Sequence, residues 1–402
     1  MSATADARPA TTDLSRRVLA VTCGAHALHD GFTDLIYVLL SVWQAEFALS
    51  YAALGVLRML FTGAMATLQV PMAAVARRVG GPLLLAAGTA LAGGAYLTIG
   101  LTGAGFVVLA AALVAGGIGA AVQHPIGSAL VSHAYADRGS RTALGTYNFA
   151  GDLGKMAVPA ATAWLLLVMP WRPALGLIGL LGIGGAIAIL LALPATLDAT
   201  PEPDTHKPSA AASPAQPRQR LGFPLLLSIG VLDSGTRMGF LAFLPFVLQA
   251  KGASTPAIGI ALTLVFAGGA AGKLACGLLG ARLGVLRTVL LTELATALGI
   301  MALGWLPLDA ALACLPIIGV ALNGTSSVLY GTVPELVTTY RREHAFGVFY
   351  TGTIGGGAVA PALYGLAGDA LGPEQAILVV AAVCLLTLPL AWGLRPSLAA
   401  LR

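Results

Sequence analysis

Several ionisable side chains share one face of an apolar segment near the start of the chain. The segment, residues 18–43, is long and apolar enough to cross a bilayer as a helix. At about 100° per residue its polar members fall within a wedge of roughly 140°, and they are His26, His29, Asp30, Thr33, Asp34 and Tyr37. A charge at the centre of a bilayer costs roughly 2.5 to 3.5 kcal/mol, so this face should line a water-filled pathway or meet a partner charge.

The chemistry that these residue types favour is the binding and release of a proton. A carboxyl group in a low-dielectric site binds a proton more readily than one in water, and imidazole exchanges protons near neutral pH. We predict that Asp30 or Asp34 carries the transported proton, and that His26 and His29 tune its affinity through hydrogen bonds and charge. Two alternatives stay open: a static hydrogen-bonded cluster that only holds helices together, and a transition-metal site built from the two imidazoles and two carboxylates.

Polar side chains inside four other apolar segments are candidates for contacting a substrate. In the fourth segment two of them precede Pro125, which removes a backbone hydrogen bond and can leave a carbonyl group free to line a cavity, or can simply kink the helix. In the fifth segment three of them follow helical spacing, although Asp152 and Lys155 could merely neutralise each other. With those of the seventh and tenth segments, the predicted substrate-binding residues are Tyr37, Gln123, His124, Asn148, Asp152, Lys155, Asp233, Arg237, Asn323 and Tyr330.

Helices must hold these candidates at bilayer depth, and the composition of the chain predicts such helices. The 402 residues are 57% hydrophobic and 10% charged, with mean hydropathy +0.86, whereas a soluble domain carries roughly 25% charged residues. We predict an all-α membrane protein with about twelve transmembrane helices. The apolar segments are residues 18–43, 51–75, 82–101, 103–134, 142–168, 171–193, 223–248, 256–280, 285–305, 309–339, 344–370 and 373–395.

The basic residues lie almost entirely on one side of this arrangement. If the N-terminus is cytoplasmic, the outer loops hold only Arg172 and Lys251, which is a strong positive-inside signal. Both termini and the polar linker are therefore predicted to be cytoplasmic, and the protein to be a multi-pass protein of the cell inner membrane. The predicted parts are an N-terminal tail 1–17, a six-helix bundle 18–197, a linker 198–220 rich in Pro, Ala and Ser, a second bundle 221–395 and a tail 396–402.

The two bundles resemble each other in sequence. Residues 145–159 align without gaps on residues 347–361, and Arg78 aligns on Arg282 at the end of the second segment of each half. In similar register, Asp34 falls on Arg237. Parallel six-helix repeats place equivalent positions at similar depth, with the substrate site between the halves. We therefore predict two pseudo-symmetric halves, in which Arg237 binds a substrate anion that replaces Asp34; a purely structural bridge between these two residues is the alternative.

Several stretches of the chain carry a resemblance to a known family. Residues 25–30, 42–50 and 54–55 resemble the opening of the fosmidomycin-resistance type of major facilitator exporter. Residues 117–125 resemble its fourth-span pattern, and residues 347–369 resemble its glycine-rich eleventh span. The family pattern has Asn where this chain has His29 and Glu where it has Ile126. In the loop signature of major facilitators, Arg77 and Ala281 occupy the Asp positions.

The residues and the resemblance together imply a secondary active transporter that works by alternating access and exports a small organic molecule in exchange for protons. The expected substrate classes include anions, drug-like molecules and metabolites. No phosphate-binding loop, nucleophile elbow or zinc spacing lies on a polar segment, so we expect no enzyme activity, no cofactor and no bound metal. The expected partners are the substrate, protons and the lipid bilayer, without nucleic acid, and the expected state is a monomer. The alternatives are a transition-metal or metal-chelate transporter and a non-transporting membrane receptor or scaffold.

Overall fold

The computed structural model describes residues 8–102, 105–136, 139–194, 197, 221–337 and 342–399, and every regular element within these ranges is helical. A π-helical turn, Gln123–Gly127, separates α5 from α6, and a 3₁₀ turn, Val333–Glu335, ends α12. The α-helices are α1 Arg8–Asp34, α2 Ile36–Phe47, α3 Tyr51–Val79, α4 Gly81–Leu101, α5 Phe106–Ala120, α6 Ser128–Ala134, α7 Ser140–Val168, α8 Trp171–Ala192, α9 Gly222–Ala250, α10 Thr255–Leu283, α11 Val285–Trp305, α12 Leu308–Thr332, α13 Arg342–Leu371, α14 Pro373–Leu385 and α15 Thr387–Ala399.

The helices confirm the predicted all-α membrane fold. In the described part of the chain, each of the twelve apolar segments corresponds to one helix or to consecutive helical pieces, and nine described helical segments are long and apolar enough to cross a membrane. The remaining three, α1, α7 and α13, are those with more polar composition, which is why hydropathy alone does not select them. The first helix begins at Arg8, ahead of the predicted start at residue 18. The predicted linker 198–220 lies outside the described residues.

Contacts divide the chain into two compact units. The first unit comprises residues 1–38 and 60–203, and the second comprises residues 39–59 and 204–402. Within the first unit α1 lies against α7 at Gly154, where an added Cβ would collide with the carbonyl oxygen of Ala27. Within the second unit α10 lies against α12 in the same manner, at Gly268 and Gly319. Small residues at such crossings allow two backbones to approach closely, as is typical of membrane helix pairs.

Two irregularities interrupt the helices that carry candidate residues. The first is a break at Leu35 between α1 and α2, where the amide of Val38 bonds to the carbonyl of Leu35 three residues earlier. The second is the π-helical turn that contains Pro125, which has no amide hydrogen to donate. Such single π turns occur inside α-helices often at functional sites, because they redirect the side chains that they carry.

Candidate functional site

The carboxyl group of Asp30 is the centre of a buried polar cluster in the first unit. Its Oδ1 lies 3.5 Å from Nε2 of His26 and 3.6 Å from Nε2 of His29, and its Oδ2 lies 3.3 Å from Nζ of Lys155. Asp30 is only 6% exposed, whereas the side chain of Lys155 is 30% exposed. Asp30 is thus closed off from solvent, and Lys155 is the member of the cluster that solvent reaches best.

The imidazole of His26 has a fixed orientation. Its Nδ1 lies 2.8 Å from the backbone oxygen of Tyr147, and its ring stacks on the Tyr147 ring with 4.1 Å between centroids. A carbonyl oxygen can only accept a hydrogen bond, so Nδ1 carries a hydrogen and donates it. In neutral His26 the lone pair is therefore on Nε2, which faces Oδ1 of Asp30.

The π-helical turn adds a third imidazole to the cluster. The ring of His124 packs edge-on against His29 and His26, with centroid distances of 4.8 Å and 5.2 Å. The neighbouring Gln123 is held by Tyr147: the Tyr147 hydroxyl donates to the Gln123 carbonyl at 3.1 Å, and the Gln123 amide lies 3.3 Å from that hydroxyl. Tyr147 therefore fixes the turn and His26 at the same time.

Helix α7 supplies the charged partners from the opposite side of Asp30. Nζ of Lys155 lies 3.8 Å from Oδ1 of Asp152, one turn earlier on α7. The approach is possible because residue 151 is glycine: a Cβ at Gly151 would lie 2.6 Å from Oδ2 of Asp30 and 2.8 Å from Nε2 of His26. The sequence spacing alone suggested a pair between Asp152 and Lys155, and the structure extends it to a triad with Asp30.

Three predicted residues of the first unit are not among the described contacts of the Asp30 cluster. Asp34 is the last residue of α1, immediately before the break, and is buried. Tyr37 is completely buried in α2, and Asn148 is exposed on α7 one turn before Asp152. Among the predicted proton and substrate residues, the structure therefore brings together His26, His29, Asp30, Gln123, His124, Asp152 and Lys155. It also adds Tyr147, which the spacing argument did not select because its polar atoms act on backbone groups.

The second unit contains a different polar cluster. The carboxyl groups of Asp233 on α9 and Glu293 on α11 interact with each other, and both side chains are buried. Arg237, one turn after Asp233, is half-buried and has Nη1 3.5 Å from the hydroxyl of Ser326. Sequence reasoning missed Glu293, although an acid inside an apolar segment is the same signal that selected Asp30.

The two predicted residues of α12 differ in accessibility. Asn323 is half-buried, and its amide donates to the carbonyl of Gly319 at 3.2 Å. Tyr330 is 47% exposed, and its ring lies 4.9 Å from that of Phe346 between centroids. Arg58, inside the second apolar segment, is only 2% exposed.

One group of side chains has the composition of a metal site. The nearest donor atoms of His26, Asp30 and His124 lie within 4.8 Å of one another. Donor atoms of a tetrahedral zinc site, with bonds of about 2.0–2.1 Å, lie roughly 3.4 Å apart. The ammonium group of Lys155 at 3.3 Å from Asp30 also places a positive charge where a metal cation would need a free carboxylate. The arrangement therefore suits a proton better than a metal ion.

Comparison with known proteins assigns this architecture. The family model described as Major Facilitator Superfamily matches residues 22–232 and 226–400. Curated relatives are the uncharacterized proteins Rv2265 of Mycobacterium tuberculosis and Mb2288 of Mycobacterium bovis, each 29% identical over 309 residues, with 74% of this chain and 73% of the relative covered.

Solved structures share the fold at low sequence identity. A bacterial homolog of the human lysosomal transporter Spinster, in an inward-facing and occupied conformation, matches with a TM-score of 0.74 and 15% identity, covering 96% of this chain and 97% of that chain. The nucleoside transporter NupG matches with a TM-score of 0.73 and 12% identity, covering 96% of this chain and 99% of the other. At these identities the likeness concerns the fold and leaves the substrate open.

Proposed function

This chain belongs to the Major Facilitator Superfamily, and from that premise we propose that it is a proton-coupled secondary transporter that exports a small organic molecule. One observation carries the proposal: the buried carboxyl group of Asp30 lies within 3.6 Å of nitrogen atoms of His26, His29 and Lys155. A membrane protein keeps ionisable groups at bilayer depth only where they serve an ion or substrate pathway or pair with one another. The pairing here is made from groups that exchange protons.

Protonation of Asp30 would change the partner of Lys155. With Asp30 ionised, its Oδ2 pairs with the ammonium group at 3.3 Å; a proton on Asp30 cancels that attraction, and the Asp152 carboxylate at 3.8 Å remains. A proton therefore favours one position of the Lys155 side chain and its loss favours another. A ligand shifts a conformational equilibrium only by binding two states differently, and this exchange gives the proton such a difference.

We propose Arg237 as the group that holds an anionic part of the substrate. Its guanidinium cannot lose its charge, and its Nε is buried without a hydrogen-bond acceptor among the described residues. A carboxylate or phosphonate could accept two parallel hydrogen bonds from the guanidinium. Arg237→Lys keeps the charge and loses this planar geometry. We expect it to reduce transport of an anionic substrate at least tenfold, with detergent gel filtration unchanged; unaltered transport, or a cationic substrate, would refute the assignment.

Export of substrate is the direction that we propose from the resemblance to the fosmidomycin-resistance type of exporter. A growth-inhibition panel should compare cells that produce the protein, cells that lack it and cells that produce Asp30→Asn at equal level. Export predicts that only the unmodified protein raises the tolerated concentration of one class of antimetabolite or drug. Equal tolerance conferred by Asp30→Asn would contradict the role of Asp30.

Metal salts belong in the same panel because they distinguish a metal transporter from an exporter of organic molecules. Tolerance to one divalent metal, lost in His124→Ala and retained in Lys155→Gln, would favour a metal transporter over the proton-coupled exporter. If no compound or metal changes tolerance while purified protein binds a small molecule, the receptor alternative is favoured instead.

The proposed location is the inner membrane with both termini and the linker 198–220 in the cytoplasm. The support is the distribution of Lys and Arg, which leaves only Arg172 and Lys251 in the outer loops. A reporter enzyme that works only in the cytoplasm should be active when it is inserted in the linker. A reporter enzyme that works only in the periplasm should be active when it is inserted beside Arg172. The reverse pair of signals would overturn this orientation.

A further inference from the structure

The second unit contains a buried acid pair that the proposed transport step does not use. We infer that Asp233 and Glu293 form a second proton-binding site, in which one proton is held between two carboxyl groups. The two carboxyl groups interact with each other, although they come from different helices, α9 and α11. Glu293 is 1% exposed and Asp233 is 5% exposed, so water cannot separate their charges.

Two carboxyl groups in contact can form a hydrogen bond only if one of them carries a hydrogen, because an ionised carboxylate can only accept. If both groups were ionised, two negative charges would be in contact in a low-dielectric interior, which is strongly unfavourable. Paired carboxyl groups in such sites share one proton for this reason. The contact between Asp233 and Glu293 therefore requires one bound proton.

The hydroxyl groups around Glu293 do not donate hydrogen bonds to its carboxyl group. Thr387 lies 3.2 Å from Oε2 of Glu293, but it donates its hydrogen to the backbone oxygen of Cys384 at 2.6 Å. Thr325 also contacts Glu293, but it donates its hydrogen to the hydroxyl oxygen of Thr292 at 2.7 Å. Each hydroxyl has a single hydrogen, so both present lone pairs to Glu293.

The hydroxyl of Thr292 cannot reverse this chain of hydrogen bonds. Thr292 donates its own hydrogen to the backbone oxygen of Thr288 at 2.9 Å, so Thr325 must be the donor between the two threonines. Among the described residues the remaining donor is the thiol of Cys384, 3.2 Å from Oε2 of Glu293, and a thiol is a weak donor. Glu293 therefore faces more acceptors than donors, which favours its neutral acid form.

Arg237 accounts for the negative charge that stays on the pair. Its positive charge acts on Asp233, one helical turn earlier on α9. With one proton shared and no substrate bound, the pair carries one negative charge and Arg237 carries one positive charge, so the three groups are neutral together. Because Arg237 is nearest to Asp233 in sequence and the hydroxyl lone pairs surround Glu293, the structure assigns the proton to Glu293 and the charge to Asp233.

Infrared spectroscopy of the purified protein in detergent tests the site, because a protonated carboxylic acid has a C=O stretching band that a carboxylate lacks. Glu293→Gln should remove one such band near neutral pH, whereas Glu374→Gln, a control at the exposed start of α14, should remove none. Asp233→Asn should also remove the Glu293 band, because Glu293 then ionises to compensate Arg237. If Glu293→Gln or Asp233→Asn keeps the C=O stretching band at the intensity of the parent, the assignment is wrong.

Thermal unfolding provides a second measurement that does not depend on the spectrum. Glutamine preserves the shape and the neutral state of the protonated acid, so Glu293→Gln should unfold within about 2 °C of the parent. Glu293→Ala leaves a cavity and unsatisfied partners, and should unfold at least about 5 °C lower. If Glu293→Gln is destabilised as much as Glu293→Ala, then Glu293 is ionised and the inference is wrong.

Discussion

Lys155 and Asp30 form an ion pair of 3.3 Å between helices that lie more than a hundred residues apart in the chain, and the pair is more open to solvent at its lysine end. The arrangement puts Asp30, the proposed proton-binding group, inside the protein and its counter-charge at the edge of the cluster. Each state of Asp30 therefore has its own preferred position of the lysine. This is the physical basis of the proposed coupling.

Removing the cation tests the pair directly. Lys155→Gln keeps a polar side chain of similar length but leaves ionised Asp30 without its nearest full positive charge, so Asp30 should retain its proton and transport should fall at least tenfold, about 1.4 kcal/mol in barrier. Substrate flux in proteoliposomes measures this. The control is Lys251→Gln, at the end of α9, whose ammonium donates to a backbone oxygen outside the cluster. Equal flux for Lys155→Gln and the parent would show that the pair has no part in coupling.

Glycine at position 151 allows α7 to approach the cluster. In Gly151→Ala the added methyl group would lie 2.6 Å from Oδ2 of Asp30, so the carboxyl group must move and the Lys155 pair must lengthen. We expect transport to fall about tenfold, with a stability loss of about 1–3 kcal/mol from overpacking. Gly145→Ala on the same helix is the matched control, because its Cβ would meet nothing within 4 Å. It should transport normally, and similar behaviour of the two variants would contradict the packing argument.

Tyr147 is expected to be a positioning residue that acts through Gln123 and His26. Tyr147→Phe keeps the ring that stacks on His26 but removes the hydroxyl that donates to the Gln123 carbonyl. Leaving these buried polar groups unsatisfied should cost about 1–3 kcal/mol of stability and disturb the π-helical turn. Thermal unfolding should show the loss, and Tyr350→Phe, at an exposed position on α13, should not. An unchanged melting temperature for Tyr147→Phe would mean that the turn does not depend on this hydroxyl.

The sequence predicts the helices well because bilayer thickness imposes long apolar segments, and the structure places a helix or a broken helix on each of them. It also predicts that His26, His29 and Asp30 lie together, since they share one helix. It does not predict that Lys155 pairs with Asp30 as well as with Asp152, because the approach of α7 to α1 is set by Gly151 and Gly154 across a tertiary contact.

The same limit explains why Glu293 was overlooked. A single acid in an apolar segment has no partner within its own helix. The acid pair can be recognised only from the tertiary contact in which α9 brings Asp233 against α11. The threonines at 288, 292 and 296 follow every fourth position of α11 and mark its polar side, so the spacing held a signal that could have been used. The predicted opposition of Asp34 and Arg237 stays a prediction.

Proton movement during substrate transport tests the central claim most directly. Proteoliposomes that enclose a pH-sensitive dye should be given substrate on one side, with the parent, Asp30→Asn, Asp34→Asn and the exposed control Asp309→Asn reconstituted at equal density. The parent and Asp309→Asn should move protons against substrate, whereas Asp30→Asn should lose the substrate-induced pH change while still binding substrate. If Asp30→Asn moves protons with substrate as the parent does, the proton is carried elsewhere, and the role proposed for Asp30 is wrong.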